Sequence, residues 1–576
     1  MTQPSNFTRR SLIKGIAASS LIPLLGSNLI GCSDDDNNDV DDFVSVLADF
    51  LHGIASGDPL EDAVIIWTRL TPETEGRARV SWEVATDENF SDVVTSGSGE
   101  TNADVDYTVK VDVQNLTAGS MYYYRFKTGN NVSAIGSTRT LPQGNVNTAS
   151  FAVVSCSNYP AGFFNVYREV ANQDVDAVIH LGDYLYEYGT TGFASEAAEA
   201  IGRVVEPATE IISLSDYRTR YAQYHTDVDL QAAHAAHPFI VVWDDHEVAN
   251  NSWKEGAQNH DPETEGSYAE RKLAAIQAWY EWLPVRPPAT EQEIIYRSFH
   301  YGDLLDLIML DTRIIGRDEQ NLYTEFASGG MIDVELARAS FNDSNRSLLG
   351  ATQRDWLRDQ LSQSTASWQV LGQQVLLGRY HLPSPIMEAL DPSLSTPGGL
   401  AKGTAAVIAA IAAKEKAPED RSAEEQALLD SAIPYNLDGW DGYAYERDDL
   451  LSFAQQMDLK LVTLAGDTHN AWTTQLTTKE GMIAGVEFGA ASVSSPGLEG
   501  ALGTGNAALF GPLIATLVDD LKAANLLGRG YLHIQFSADE LTATHRFIDN
   551  IGSRDYTVDA ASSLEFTVKR DDLLLS

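Results

Sequence analysis

The strongest constraint on the fold of this chain is a series of short apolar runs, each ending abruptly in a polar cluster. Phe151-Ala-Val-Val ends in Ser155-Cys156-Ser157-Asn158, and Ala177-Val-Ile-His-Leu181 ends in Gly182-Asp183-Tyr-Leu-Tyr186. Phe239-Ile-Val-Val-Trp243 ends in Asp244-Asp245-His246-Glu247, and Leu459-Lys-Leu-Val-Thr-Leu-Ala465 ends in Gly466-Asp467-Thr-His469-Asn470. Runs rich in Val, Ile and Leu belong to strands covered on both faces. Polar groups just past such strands collect on the carboxyl-end loops, where α/β sheets build their sites.

Further strands are expected at Leu305–Leu310, Trp368–Leu377, Met482–Ala491 and Gly530–Ser537. Helices are expected at Tyr268–Leu283 and Thr352–Leu361. From about residue 148 to 560 the chain therefore reads as mixed α/β, most economically a sandwich of two sheets with helices outside, four layers in all. Residues 561–576 read as a C-terminal tail. The stretch from Thr396 to Ile433, within a broader 386–450 region, reads as an insertion. It holds an Ala-rich helix over Thr404–Lys414 and a charged one over Pro418–Ser431, either a surface excursion or lid, or a partner-binding helix pair.

Residues 49–142 read as a separate, all-β sandwich. Ala63–Leu70 is an extended apolar run, Arg77–Val84 alternates around Trp82, and Asp106–Val113 alternates cleanly. The pattern Leu116-x-x-Gly119-x-x-Tyr122-x-Tyr124 is similar to a fibronectin type III module. A polar linker, Thr140–Asn147, broken by Pro142, follows it.

The N-terminus reads as an export leader over residues 1–31. Arg9-Arg10 precede a mild apolar stretch and Leu29-Ile-Gly-Cys32, as in a twin-arginine signal ending in a lipobox. Such a signal implies export of a folded protein by the twin-arginine machinery, lipid attachment at Cys32 and a membrane-anchored lipoprotein, periplasmic or at the cell surface. An acidic tether over 32–48 follows. The other cysteine, Cys156, then has no disulfide partner. In an exported protein a lone thiol is a liability unless buried or metal-bound.

The formal net charge is −43, and removal of the basic leader makes it more negative still. That argues against long nucleic acid as a partner, because its phosphates would be repelled. A small phosphate substrate then needs local positive charge, and bound cations are the strongest source. Two cations about 3.5–4 Å apart can activate water and clamp a phosphoryl group. The strand-end residues suit that task. Asp183 and Tyr186 can reach one ion, Cys156 can supply a thiolate, Asp467 and His469 can reach the same pocket, and Asp245 can take a second ion. The adjacent Asp244 could replace Asp245, and Asn250 could instead cap a helix.

Together these blocks resemble the PhoD-like alkaline phosphatase/phosphodiesterase family, of the calcineurin-like metallophosphoesterase fold. The resemblance covers the leader, the N-terminal block His52-Gly-Ile-Ala-Ser-Gly57-Asp58-Pro59 and nearly all of the larger domain. It implies Asp183 bridging two metals, Cys156, Tyr186 and His469 completing an Fe3+ side, and Asp245 and Asp467 holding Ca2+. Hard oxygen ligands suit calcium. It also implies His246 at the phosphate or leaving group and Asn250 as donor to a phosphoryl oxygen. The implied activity is hydrolysis of phosphate monoesters or diesters by a metal-activated hydroxide, with a monomeric enzyme. His381 and Arg313 are secondary candidates, Arg313 more as an ion-pair organiser than a catalyst. Two rival readings are a cysteine or serine hydrolase, with Cys156 as nucleophile beside His246 or His469, and a non-catalytic surface-binding lipoprotein. No Gly-x-Ser-x-Gly elbow follows a strand convincingly.

Overall fold

The computed structural model describes residues 44–288, 293–328, 331–390, 394 and 399–576. Arg9, Arg10, Cys32 and most of the expected tether lie outside the described residues. Two large mixed sheets organise the body. The first has nine strands, in the order Leu564–Lys569, Glu540–Ile548, Arg529–Ser537, Thr148–Val154, Ala177–His180, Pro238–Val241, Ile54–Gly57, Val64–Arg69 and Thr108–Val113. The second has seven, in the order Arg297–Tyr301, Leu305–Met309, Trp368–Gly372, Leu461–Ala465, Ile483–Gly489, Ala471–Thr477 and Leu521–Asn525.

Each sheet has a parallel centre and antiparallel flanks. Thr148–Val154, Ala177–His180, Pro238–Val241 and Ile54–Gly57 run parallel in the first. Leu305–Met309, Trp368–Gly372, Leu461–Ala465 and Ile483–Gly489 run parallel in the second. Ala177–His180, Pro238–Val241, Leu305–Met309, Trp368–Gly372 and Leu461–Ala465 are buried along their length, as parallel strands covered on both faces require. Val153, Ile179 and Ile240 of one sheet share a core with Leu307, Val370, Val462 and Phe488 of the other. Helices cover the outer faces. Asn165–Ala171, Leu214–Tyr224 and Tyr268–Trp282 pack on the first sheet, and Gly350–Gln363 and Ala444–Gln456 on the second.

The small N-terminal β domain differs from its expected form. Met121–Thr128, Ala78–Ala85, Val93–Thr101 and Gly136–Arg139 form a sheet of their own with the short strand Asn131–Val132. The layer opposite is not private to this domain. Ile54–Gly57, Val64–Arg69 and Thr108–Val113 extend the nine-stranded sheet, through parallel pairing of Ser56 and Gly57 with Pro238 and Phe239. Ile54, Val64 and Ile66 on that side pack with Val80, Tyr124 and Phe126 on the other. Hydrogen-bond pairing therefore continues across the expected boundary near residue 142.

The C-terminal segment is not a tail. Leu564–Lys569 is the edge strand of the nine-stranded sheet, Val568 and Leu573 are buried, and Gln475 Nε2 donates to Leu573 O at 2.9 Å. The insertion is helical at Ser384–Leu390, Gly399–Lys414 and Ala423–Asp430, and a two-stranded clasp, His381–Pro383 with Ala432–Pro434, closes its base. The last helix is shorter than its sequence suggests. Its start is set by a capping box in which Ser422 and Glu425 exchange side-chain and backbone bonds, leaving Pro418–Asp420 as a separate 3-10 turn. No helix among the described residues is long and apolar enough to cross a membrane.

Candidate metal centre

The carboxyl ends of the two parallel strand sets meet at one place. Cys156 follows Val154, Asp183 follows His180, Asp244 and Asp245 follow Val241, Arg313 follows Met309, and Asp467 follows Ala465. Cys156, Asp183, Asp467 and His469 all have φ between 53° and 63°, left-handed backbone that turns each side chain off its strand. Gly182 permits a sharp exit from its strand. Its φ is 103°, and a Cβ there would come within 2.4 Å of Asp244 Cβ.

Three overlapping groups of donor atoms result, each group lying within 4.8 Å: Cys156 with Asp183 and His469, Asp183 with Asp245 and His246, and Asp244 with Asp245 and Asp467. Asp183 is shared by the first two groups and Asp245 by the last two. Tyr186 joins the first. Its hydroxyl donates to Asp183 Oδ2 at 2.9 Å, lies 3.0 Å from His469 Nε2 and accepts from Ser495 Oγ at 2.6 Å.

The imidazoles are oriented by groups behind them. His469 Nδ1 donates to Pro496 O at 2.7 Å, which leaves Nε2 with its lone pair facing Tyr186 and Asp183. Such a carbonyl partner fixes the ligating tautomer of a metal-binding histidine. His246 Nδ1 donates to Glu187 Oε2 at 2.6 Å, so its Nε2 is the nitrogen left to face the site. Deeper, His180 Nδ1 accepts the Gly182 amide at 3.2 Å. Its Nε2 therefore carries the proton toward Tyr167 OH at 2.9 Å, which lies 2.7 Å from Ser157 Oγ.

Two buried acids for which sequence reasoning found no role prove central, Glu247 at the end of one strand-end block and Glu187 just past another. Glu247 accepts the amides of Asp183 at 3.0 Å, Asp244 at 2.6 Å and Tyr184, fixing two strand exits at once. Glu187 accepts from His246, from Asn250 N at 2.8 Å and from Asn259 Nδ2 at 3.0 Å. The signal was their position one residue after Tyr186 and His246.

Arg313 is the ion-pair organiser. Fully buried, it contacts Asp244 and donates to Asp467 Oδ1 at 2.8 Å and to Asp438 Oδ2 at 2.6 Å. Asp438, outside every sequence block, also pairs with Arg317. Asp244 thus takes up Arg313 with Oδ1, while Asp245 accepts the amides of His246 at 3.0 Å and Asn251 at 2.6 Å. Two candidates are engaged elsewhere. The His381 ring bonds Asp441 at 3.1 Å, in a cluster with Arg447, and belongs to none of the three donor groups. Asn250 Nδ2 donates to Gln258 at 3.3 Å. The neighbouring Tyr184 turns the other way, its OH lying between His225 and His234 in the core.

The electrostatics are those of a site with too much negative charge. Burial raises the Cys156 thiol and the Tyr186 phenol well above their ordinary values, and Asp183 adds to both shifts. Burial raises Asp467 to about 8 despite Arg313, and burial with Asp183 raises Glu247 to about 8. Burial disfavours charge on His246, yet Asp245, Glu187 and Asp183 outweigh it and raise that group well above its usual range. Two carboxylate oxygens, Asp183 Oδ1 and Asp244 Oδ2, are buried with no hydrogen-bond partner. Native proteins rarely leave such atoms unsatisfied. Orphaned oxygens, a thiol and an aligned imidazole among surplus acids fit bound cations.

Comparison with known proteins agrees. Residues 151–545 match the PhoD-like phosphatase profile, and residues 41–142 match that of the PhoD-like phosphatase N-terminal domain. The chain belongs to the PhoD-like phosphatase family. Alkaline phosphatase D of Bacillus subtilis (strain 168) is 35% identical over 470 residues, covering 78% of this chain and 70% of that protein. A solved structure of PhoD superposes with a TM-score of 0.73 at 30% identity, over 93% of this chain and 92% of that one. The PhoD-type α/β fold, with its small N-terminal β domain and larger mixed-sheet core, is therefore shared along almost the whole chain.

Proposed function

We propose that this PhoD-like phosphatase hydrolyses phosphate monoesters or diesters at a centre of two or more cations. It is an enzyme of the alkaline phosphatase D type, and calcineurin-like strand-end chemistry is the finer description of its site. The observation that carries this reading is that Asp183 groups with Cys156 and His469 on one side and with Asp245 on the other, Asp245 in turn grouping with Asp244 and Asp467. Cys156, Asp183, Tyr186 and His469 would hold Fe3+. Asp183, Asp245 and Asp467 would hold Ca2+, with Asp244 beside them. Cations held there supply Lewis-acid chemistry, lowering the pKa of water and neutralising phosphoryl oxygens.

The protein's own residues do the rest. Glu247 fixes the amides of Asp183 and Asp244, so both carboxylates are preset before substrate arrives. Arg313 balances part of the carboxylate charge and fixes Asp244 and Asp467. Glu187 holds the His246 proton at Nδ1 and favours the doubly protonated ring, whose Nε2–H can donate to a phosphoryl oxygen or protonate the leaving alkoxide. Asn250 is a further donor if it releases Gln258. Cys156 is a poor free nucleophile here, because burial and neighbouring acids disfavour its thiolate. That favours a cation-bound sulfur over the cysteine-hydrolase reading.

The sequence before residue 44 supports an exported location. Arg9-Arg10 and Cys32 support export by the twin-arginine route, lipid attachment and a membrane-anchored body, and the net charge of −43 argues against long nucleic acid as a partner. Labelling with a radioactive fatty acid, abolished in Cys32→Ala, tests the anchor. Phosphate release from phenyl phosphate, lost in Asp183→Ala and on chelation, tests the chemistry. Turnover that survives chelation but is lost to a thiol reagent would instead support a cysteine nucleophile.

A further inference from the structure

Phe193 is an apolar side chain left 39% exposed at the rim of the candidate metal centre. Its ring stacks on His469, with centroids 5.9 Å apart and planes 27° apart. It also lies 6.4 Å from the Tyr186 ring and 6.3 Å from Tyr188. Tyr188 in turn lies 5.4 Å from His246. An aromatic wall thus runs from the Cys156–Asp183–His469 group to the residue suited to meet the leaving group.

The loop that carries Phe193 is also tied by hydrogen bonds that do not involve its ring. Thr190 N donates to Ala208 O at 3.0 Å, Gly192 N to Gly189 O at 3.0 Å, Ser195 Oγ to Gly192 O at 2.8 Å, and Asn158 Nδ2 to Phe193 O at 3.3 Å. The loop also folds closely on Tyr188, since a Cβ at Gly192 would come within 2.2 Å of Tyr188 Cβ. The next residue, Ala194, has φ 60°, a left-handed conformation unfavourable for alanine. Strain of this kind persists where surrounding structure enforces it and clusters at ligand clamps. A fixed, strained loop that keeps a large apolar ring partly in water beside reactive groups presents that ring to a ligand.

We propose that Phe193, with Tyr188, is a stacking platform for the leaving group. On this account the enzyme prefers phosphate esters whose departing alcohol carries a planar aromatic ring, aryl or nucleobase, over aliphatic esters. The inference rests on the phosphate-ester reading of the site. Offset stacking on an aromatic ring adds to binding in ground and transition states alike, so its loss appears chiefly in KM.

The test compares the wild type with Phe193→Ala, Phe193→Leu and Phe193→Trp on phenyl phosphate, a nucleoside 5′-monophosphate and glycerol 3-phosphate. Leucine keeps apolar bulk without a flat face, so it carries the test should the alanine variant fold poorly. Phe193→Leu is expected to raise KM for phenyl phosphate about 3- to 10-fold while glycerol 3-phosphate changes less than about twofold, and Phe193→Trp to retain the aromatic preference. A parallel rise for the nucleoside ester assigns the platform to bases as well; no rise there assigns it to aryl groups alone. Equal changes for phenyl phosphate and glycerol 3-phosphate in Phe193→Leu would overturn the proposal. Calorimetry with phenylphosphonate and methylphosphonate reads the platform without turnover. Equal wild-type affinity for the two also overturns it. Phe193-dependent preference for phenylphosphonate in a protein that cleaves no ester would instead sink the phosphatase reading alone.

Discussion

The Tyr186 hydroxyl lies 3.0 Å from His469 Nε2, although 283 positions separate them in the chain. The same hydroxyl donates to Asp183, so three candidate ligands converge through one phenol. A tyrosinate on a ferric ion absorbs visible light. Tyr186→Phe is therefore expected to remove a visible band from the purified protein and to lower activity at least about tenfold, the scale of losses at groups that tune a metal. Absorption spectra before and after the substitution check this.

His246 is expected to matter most where the leaving group is poor. His246→Ala should lower kcat on an alkyl ester by roughly 10²- to 10⁴-fold, the usual worth of a placed proton donor, and by less on an activated aryl ester. Glu187→Gln removes the carboxylate charge that, 2.6 Å from His246 Nδ1, helps raise that ring. The His246 pKa then falls, so the alkaline limb of kcat/KM should move to lower pH.

The metal-stripped protein should become less stable as pH rises. Glu247 and Asp467, each raised to about 8 by burial, keep their protons in the fold until near that pH. In the unfolded chain they lose them at the ordinary values of 4.5 and 3.8. Within that window the unfolded state binds fewer protons, so stability falls as pH increases. Cations compete with those protons and bind only the fold, so their addition should restore Tm most at the upper end. Thermal melts of stripped and reloaded protein at pH 5 and about pH 8 check the sign.

Arg313 faces Asp244, Asp438 and Asp467 with no solvent contact. Arg313→Ala leaves these buried acids without their common partner and should destabilise the stripped protein by roughly 3–5 kcal/mol. Added cations should recover part of that loss, because they supply charge to the same acids. Denaturant unfolding with and without Ca2+ measures both.

What was legible in the sequence follows from physics local to the chain. Val178, Ile179 and Leu181 are apolar because both faces of their strand are covered, and the change to Gly182-Asp183 marks where the strand ends. Long-range pairing left no such trace. Nothing local in Ile54–Gly57 says that it pairs with Pro238–Val241 rather than with strands of its own domain. Leu564–Lys569 looks like a tail because an edge strand alternates weakly and exposes much of its length. Glu187 and Glu247 read as ordinary acids, since their value lies in the backbone amides and imidazole they meet across 59 to 64 positions. The expected strand Trp368–Leu377 stops at Gly372 because Gln374 turns to bond Trp243 O and Leu310 O, tying the two sheets at the site.

The edge strand yields a prediction of its own. Truncation after residue 560 removes Leu564–Lys569 and the buried Leu573, opening Glu540–Ile548 as a new edge. Exposed edges of this length promote association. The truncated protein should melt several degrees lower and aggregate, as read by thermal scanning and light scattering.

Elemental analysis of the purified protein, paired with phosphate release from phenyl phosphate, bears most directly on the cation centre. Two or more cations per chain are expected in the wild type, fewer in Asp183→Ala, with turnover lost on stripping and regained on reloading. Undiminished turnover by a chain shown to carry no metal would contradict a shared Asp183 as the heart of this enzyme.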